Sequence, residues 1–310
     1  MKEVTKFFGI DVSMEVFDVS FPDGKHVQYS NDPEGYQKLG DLLDGQSQCV
    51  MEATGSYHLR LATWIFGNGY KVSVVNPLVI KRFAQMRLRL AKTDKADAKM
   101  IRQYAETEGV ECWTPPQEYV TESFEMNGLI ILLIRQRTAL KNKLHSISQK
   151  PGKFSLVLKA LQKQIRNLNQ EIDGLEKAME DLITKHEGEM FTRLCSIPGI
   201  GKKTALFLIV LTDGFQSFEN SKQLSAFLGL APTIKKSGKS VRGQSRISKT
   251  GNRVIRNLLF MCSFTACKRN KGCHALYSRI VAKGKSKKLA LIAVANKLLK
   301  QSIAIAETVN

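Results

Sequence analysis

The first 107 residues alternate between strand-like and helix-like patterns, and their order restricts the fold more than any other feature. Short apolar or alternating runs predict strands at 6–13, 15–21, 26–30, 48–55 and 70–76. Helical spacing of apolar residues is found at 33–44, 57–67, 77–88 and 94–107. Three strands followed by alternating helices and strands predict an α/β domain whose sheet begins antiparallel and continues parallel.

The rest of the chain has a helical pattern of a different kind. Apolar residues spaced three and four apart predict about four heptads between 158 and 182, and a weaker stripe runs from Met126 through Leu129 to Ile147. We expect two long helices that form an antiparallel hairpin, broken at 149–155, and that pair internally, with another subunit, or both. Residues 189–310 are expected to be mainly helical, with a last pair of helices at about 253–267 and 286–305 and, before them, a polar, glycine-rich segment at 233–253, here called the serine loop.

The net charge of +19 is confined to one region. Between Asn220 and Ala306 there is no Asp or Glu but 19 Lys or Arg, which leaves 28 basic and 28 acidic residues elsewhere. A surface of one sign suits a polyanion, because each neutralised phosphate releases counterions. Nucleic acid is therefore the expected partner, and a generic solvated basic surface is the alternative.

Other features exclude several classes of protein. No apolar run approaches the ~20 residues of a membrane span, and the amino terminus lacks a signal-peptide pattern. The six cysteines include no C-x-x-C pair, so reduced thiols are expected rather than a zinc site. We expect a cytoplasmic protein that does not enter membranes.

Four carboxylates are predicted to converge at one edge of the α/β domain. Two of them end neighbouring strands, and two lie three residues apart on one face at the start of a helix. These are the four acids: Asp11, Glu52, Asp94 and Asp97. Such oxygen ligands suit Mg²⁺, and a pair of ions about 4 Å apart can clamp both sides of a scissile phosphate. The alternatives are structural: Asp94 as a helix N-cap, Asp97 as a helix-dipole acid, Asp11 as a turn acid and Glu52 as a satisfied strand-end residue.

Basic residues near these motifs are expected to contact nucleic acid. The turn IPGIG at 197–201 is followed by KKTA, so backbone N–H groups at a helix start can meet a phosphate there; a plain helix-turn-helix packing unit is the alternative. Other cations flank the paired acids or lie in the serine loop. The complete predicted set is Lys92, Lys95, Lys202, Lys203, Lys235, Lys236, Lys239, Arg242, Arg246, Lys249 and Arg253.

Ser237 lies among these cations, directly before Gly238. A serine hydroxyl is a weak nucleophile unless it is activated, but nearby cations can stabilise an alkoxide or hold the attacked phosphate. No histidine is close in sequence, so a hydrolase triad has no support. Ser240, Ser245 and Ser248 remain rival nucleophiles, and a loop that only binds phosphate remains the simpler alternative.

Together these motifs resemble the DEDD transposases of bacterial insertion sequences and the related Piv-type DNA invertases. The matching stretches, which span nearly the whole chain in order, are FGIDVS (8–13), MEATGSY (51–57), VVNP (74–77), KTDKADA (92–98), SIPGIGKKTA (196–205), AFLGLAP (226–232) and SGKSVRG…RISKTGN (237–252). The resemblance implies an α/β plus all-α chain: a ribonuclease H-like, RuvC-like domain at 1–117, a helical hairpin or coiled coil at 118–188 and a C-terminal transposase domain at 189–310.

The resemblance also implies a mechanism and partners. The four acids would bind magnesium, and Ser237 would attack DNA to form a covalent phosphoserine link. The expected partners are donor and target DNA and a structured noncoding guide RNA, in a bacterial, nucleoid-associated setting. Because the acids and the serine are ~140 residues apart, we expect a homo-oligomer, dimer or tetramer. A RuvC-like Holliday-junction nuclease that uses water and a non-catalytic nucleic-acid-binding protein are the competing functions.

Overall fold

A computed structural model of the chain describes residues 5–53, 55–87, 93–216, 218, 220–233, 236–237, 241–242, 246–248 and 251–309. The chain forms two compact units, Met1–Pro115 and Pro116–Asn310. The boundary between them lies two residues before the predicted end of the first domain at 117. The further division of the second unit at 188 stays a prediction.

The described residues of the first unit form five strands and four helices. Its strands are β1 (Lys6–Val12), β2 (Val16–Ser20), β3 (His26–Ser30), β4 (Ser47–Glu52) and β5 (Lys71–Val75). Its helices are α1 (Pro33–Gly40), α2 (Tyr57–Gly67), α3 (Pro77–Met86) and α4 (Asp94–Glu108). All nine elements were predicted from the sequence, with ends that differ by a few residues.

The five strands form one sheet in the order β3-β2-β1-β4-β5. The β1–β2 and β2–β3 pairs are antiparallel, whereas the β1–β4 and β4–β5 pairs are parallel. The predicted antiparallel start and parallel continuation are therefore confirmed. In such a sheet the carboxyl ends of β1, β4 and β5 lie at the same edge.

Helices cover both faces of this sheet. Side chains alternate along each strand, so each strand can contribute to a core on either face. Phe8 and Ile10 of β1 belong to a core that also includes residues of α1 and α2, such as Leu39 and Leu61. Val50 of β4 points the other way and packs with residues of α3 and α4. Residues of β1 and β4 in step with Val50 therefore face α4.

Gly9 lets α4 lie directly on β1. A Cβ atom built at Gly9 would stand 2.2 Å from the carbonyl oxygen of Ala98 and 2.4 Å from the backbone nitrogen of Arg102. Arg102 is buried, and its Nε donates a hydrogen bond to Ser20 Oγ at 3.2 Å. Together the glycine and the arginine fix α4 against β1 and β2.

We expect Gly9→Ala to destabilise the protein, because its methyl group would collide with the backbone of α4. Overpacking of this kind costs about 1–3 kcal/mol in the free energy of unfolding. Chemical denaturation measures the loss. Gly45→Ala is the matched control, since nothing lies within 4 Å of a Cβ placed there. Equal stability of the two variants would contradict the close contact.

The second unit is mainly helical. Its helices are α5 (Glu118–Ser148), α6 (Ser155–Ser196), α7 (Lys202–Thr212), α8 (Ser221–Phe227), α9 (Arg253–Arg269), α10 (Lys271–Ala282) and α11 (Lys287–Val309). Four two-residue strands lie in the serine loop or at its start: β6 (Pro232–Thr233), β7 (Lys236–Ser237), β8 (Val241–Arg242) and β9 (Arg246–Ile247). Most side chains of α7 are buried, so α7 forms the centre of this core.

Helices α5 and α6 form the predicted antiparallel hairpin. Tyr119 near the start of α5 donates a hydrogen bond to Glu187 near the end of α6 at 2.6 Å. Ile172 and Met179, both in the predicted heptads, are buried. Leu129 was expected in the seam but is 44% exposed, whereas its neighbour Ile130 is fully buried. In LIILLI (129–134) every residue is apolar, so spacing alone did not identify the buried face.

The last two helices differ: α11 was predicted, at about 286–305, and α10 was not. The sequence did not predict α10, whose first turn contains Gly272 and whose apolar residues Leu276 and Tyr277 are only partly buried. Over Lys287–Thr308, α11 is long and apolar enough to cross a membrane, but half of it is buried within the second unit. It packs against α6, α8, α9 and α10. These contacts are those of a core helix of a globular unit.

Candidate active site

The four acids line one cleft of about 960 Å³ in the first unit. Asp11 follows Gly9 by two residues in β1, and Glu52 follows Val50 by two residues in β4, so both carboxylates are on the sheet face that α4 covers. Because β1 and β4 are parallel neighbours, with Ile10 beside Met51, these two acids lie at the same edge.

The first turn of α4 supplies the other two acids. Thr93 caps this helix, with its hydroxyl oxygen accepting a hydrogen bond from the Ala96 N–H at 3.2 Å. Asp94 is therefore the first helical residue, and the alternative that it serves as the N-cap is wrong. Both Asp94 and Asp97 lie in the first turn, where the helix dipole favours a carboxylate. A favourable interaction with the helix dipole does not by itself place the two side chains near other acids. Both nevertheless line the cleft with Asp11 and Glu52.

The acids influence one another electrostatically. The pKa of Asp11 is raised to about 6, most of all by burial and then by the negative charges of Asp97, Asp94 and Glu52, in that order. Asp18, directly opposite Asp11 on β2, makes the smallest contribution. Asp18 is buried and accepts hydrogen bonds from His26 and Gln28, so its carboxylate already has partners.

The chemistry of this cleft fits a hard divalent cation. All four acids offer oxygen ligands of the kind that such ions prefer, and a cation would relieve the repulsion that raises the pKa of Asp11. Among the described residues, no three His, Cys, Asp or Glu side chains are yet close enough to hold an ion. The acids therefore share a cleft without forming a finished ligand shell.

Other residues of the cleft were not identified from the sequence. Tyr57 begins α2, while Lys81 and Gln85 lie on one face of α3, four residues apart. Since α3 begins directly after β5, its first turns lie at the edge where the parallel strands end. That position in the element order was the available signal, but it singles out no particular side chain.

The serine loop is more ordered in its pairing than predicted. Pro232 and Thr233 of β6 pair with β9, and inside them Lys236 and Ser237 of β7 pair with β8, so the two antiparallel pairs are nested. At the base of the loop, the Ser248 N–H donates to the Ala231 carbonyl at 3.1 Å. Ser237 is thus carried on the inner of two strand pairs in the second unit.

The predicted nucleic-acid-binding cations differ in their surroundings. Lys95 on α4 and Arg253 at the start of α9 are exposed. Lys202 bonds Glu180 at 2.5 Å and Lys203 bonds Glu176, so both would have to leave α6 to contact phosphate. Lys236, Arg242 and Arg246 lie in the short strands, and Lys92, Lys235, Lys239 and Lys249 lie outside the described residues.

Comparison with known proteins gives two family matches and several relatives. Residues 191–278 match the family described as "Transposase IS116/IS110/IS902 family", and residues 8–149 match a DEDD transposase family of the IS110 type, described as "Transposase". The pilin gene-inverting protein of Moraxella bovis is 30% identical over 312 residues, which cover 96% of this chain and 95% of that protein. The transposase for insertion sequence element IS1111A of Coxiella burnetii is 26% identical, over 84% of this chain and 77% of that protein.

An acid-lined α/β unit joined to a transposase unit defines a DNA transposase or recombinase. More particularly, the chain belongs to the IS116/IS110/IS902 family of insertion-sequence transposases. A DEDD transposase domain implies a ribonuclease H-like fold, with which the observed strand order agrees, and it suggests dependence on a divalent metal.

Proposed function

We propose that this transposase cuts and rejoins DNA with Mg²⁺ held by the four acids and with Ser237 as the nucleophile. The observation that supports it best is the convergence of the four acids on one cleft, although they come from two strands and a helix. When bound, Mg²⁺ would neutralise charge on the phosphate under attack. The four acids would hold that ion, and the repulsion among them favours a cation.

In this proposal Ser237 acts by exchanging one phosphodiester for another. Its Oγ bonds to phosphorus and loses its proton, while the P–O bond to one deoxyribose oxygen breaks and that oxygen leaves as a hydroxyl. Attack by a DNA hydroxyl on the phosphoserine then restores the serine and joins a new strand. The number of phosphoester bonds is unchanged, so no energy source is consumed.

The proposed partners are donor DNA, target DNA and a noncoding guide RNA, met in the bacterial cytoplasm near the nucleoid. The acid-free stretch from Asn220 to Ala306 supports a polyanionic partner. Two relatives are called a pilin gene-inverting protein and an insertion-sequence transposase, names that describe rearrangement of DNA segments. The guide RNA comes from the family resemblance of the motifs.

Removal of the metal tests the catalytic proposal. We expect full-length protein with DNA carrying the ends of its element, and the transcribed flanking RNA, to cleave and join strands in Mg²⁺ but not in EDTA. Cleavage should return on adding excess Mg²⁺, because the four acids are then reloaded. DNA retention in a gel-shift assay is the control and should persist in EDTA. Strand joining at full rate in EDTA would contradict the proposal.

We also propose a homo-oligomer, supported by an exposed apolar surface on α5. Phe124, Leu129 and Leu132 are each about half exposed and lie on one side of the helix. Over LIILLI (129–134) α5 is apolar around its whole circumference, and a helical stretch of that kind is normally covered on all sides. A second copy of α5 is the proposed cover, since the same apolar patch on two subunits is self-complementary.

We expect Leu129→Glu with Leu132→Glu to dissociate this oligomer, because four charges would then meet across the contact. Size-exclusion chromatography with light scattering, with and without nucleic acid, measures the mass. Leu156→Glu is the matched control, since Leu156 is 81% exposed and outside the patch. A wild-type monomer under both conditions would rule out the proposed assembly.

A further inference from the structure

The wall of the acidic cleft carries a cation and an aromatic ring that the metal proposal does not use. Lys81 and Gln85 lie on α3 in step with Pro77, where the helix begins, and Tyr57 lies at the start of α2. All of these residues line the same cleft as the four acids. The cleft therefore combines an acidic floor with a mixed cationic and apolar wall.

The apolar part of this wall is open to solvent. Tyr57 is 44% exposed and Met14 is 63% exposed, and Leu78 beside them is exposed to a similar degree. Three large, exposed apolar side chains grouped at one cleft mark a binding surface for a partly apolar ligand. Aromatic rings in such positions stack on nucleic-acid bases without regard to sequence.

Lys81 supplies the complementary charge. It is exposed, and among the described residues it forms no ion pair with the carboxylates of the cleft or with any other acid. A lysine that faces four carboxylates without pairing with one remains available to a phosphate. Two other lysines of the first unit are paired: Lys6 with Asp44, and Lys38 with Glu34.

We propose that this cleft takes a DNA segment with unpaired bases, in which Lys81 holds a phosphate and Tyr57 stacks on a base next to the scissile position. The inference rests on the proposed function and adds the form of its substrate. A base inside a duplex already stacks on both sides, so Tyr57 gains a partner only when the strand is locally unpaired. Lys81 and Tyr57 act here as positioning residues, and the bond changes remain those of Ser237.

Photo-crosslinking of full-length protein to a single strand carrying 5-iododeoxyuridine tests this site in EDTA, with no cleavage required. We expect mass spectrometry to find crosslinks in the peptide around Tyr57. The crosslink yield at that peptide, rather than total affinity, is the readout, because the basic C-terminal region binds DNA by itself. Lys81→Ala should lower the yield at least about fivefold, and Lys81→Arg should restore most of it.

Two matched controls and a fully paired duplex that carries the same photoreactive base complete the design. Lys71→Ala changes an exposed lysine at the amino end of β5, away from the edge that carries the acids, and should leave the yield unchanged. A second readout is the oxidation of Met14, from which the bound strand should protect the cleft. Tyr57→Phe should retain this protection, whereas Tyr57→Leu should lose it. Phe66→Leu, at the other end of α2, should have no effect.

Several outcomes would overturn the inference. They are an absence of crosslinks around Tyr57, equal yields for Lys81→Ala and Lys71→Ala, equal crosslinking of fully paired duplex, or a change of oligomeric mass in Tyr57→Leu without loss of protection. The last would mean that a second copy of the chain covers the wall. If wild-type protein cleaves in Mg²⁺ while any of these occurs, the inference fails and the proposed function stands. If crosslinking behaves as expected but no cleavage or joining is found, the proposed function fails.

Discussion

Replacing Asp11 by asparagine is expected to abolish strand cleavage while leaving DNA binding nearly unchanged. The charges of the other three acids all act on Asp11, which lines the cleft and is partly buried. Asparagine keeps its size but removes the negative charge that a hard cation needs. We expect cleavage to fall by at least about a thousandfold, equivalent to about 4 kcal/mol of transition-state stabilisation.

Cleavage of end-labelled DNA and a gel-shift assay on the same preparations separate the two effects. Asp97→Asn should behave like Asp11→Asn, because among the neighbouring acids the charge of Asp97 has the largest effect on the pKa of Asp11. Asp41→Asn is the matched control, since Asp41 is exposed just beyond α1 and outside the cleft. Cleavage by Asp11→Asn within about tenfold of the wild-type rate would exclude Asp11 as a metal ligand.

Although Asp11→Asn is expected to abolish cleavage, it is expected to stabilise the metal-free protein near neutral pH. The pKa of Asp11 is about 6 in the folded chain against an ordinary 3.8, so the folded state holds its proton more tightly than the unfolded state. That stabilisation is complete below about pH 4 and is lost as the pH rises through 6. Asp11→Asn should therefore raise the melting temperature in EDTA at pH 7.5, and the gain should vanish near pH 4. A variant less stable than wild type at both pH values would show that the carboxylate is structural.

The first unit was largely predictable because its signals are local. Strand alternation placed Asp11 and Glu52 at strand ends, and parallel pairing then required them to be neighbours. Residue spacing also placed Asp94 and Asp97 on one face. Asp94 was the N-cap that the structural alternative named, whereas the cap is the residue before it, Thr93, whose hydroxyl also suits that role.

What could not be predicted depends on contacts between distant parts of the chain. The need for glycine at position 9 comes from the backbone of α4, almost 90 residues later. The pairing of Lys203 with Glu176 joins α7 to α6 and cannot be predicted from the basic motif alone. Lys81 lines the cleft only because α3 packs beside α4. The nested strand pairs of the serine loop were not predicted, because each strand has only two residues and no alternating pattern.

Replacing Ser237 by alanine should eliminate the covalent protein–DNA adduct and all strand joining, while DNA binding persists. The variant lacks the hydroxyl that would form the ester with phosphorus, and no other change is made to the loop. Denaturing gel electrophoresis with labelled DNA measures the adduct, and peptide mapping of the wild-type adduct should identify residue 237. The expected loss is complete, since an absent nucleophile cannot be replaced by better positioning.

The remaining serines of the loop provide the decisive comparison. Ser240→Ala and Ser245→Ala change hydroxyls in the same cationic segment, and Ser248→Ala changes one at its paired base; all three should retain the adduct. An adduct that survives in Ser237→Ala but disappears in one of these would move the nucleophile to that serine. Cleavage without any adduct, at the wild-type rate in Ser237→Ala, would instead favour a RuvC-like nuclease that uses water. In that case the first unit would carry the whole reaction, and the basic second unit would serve to bind the nucleic acid.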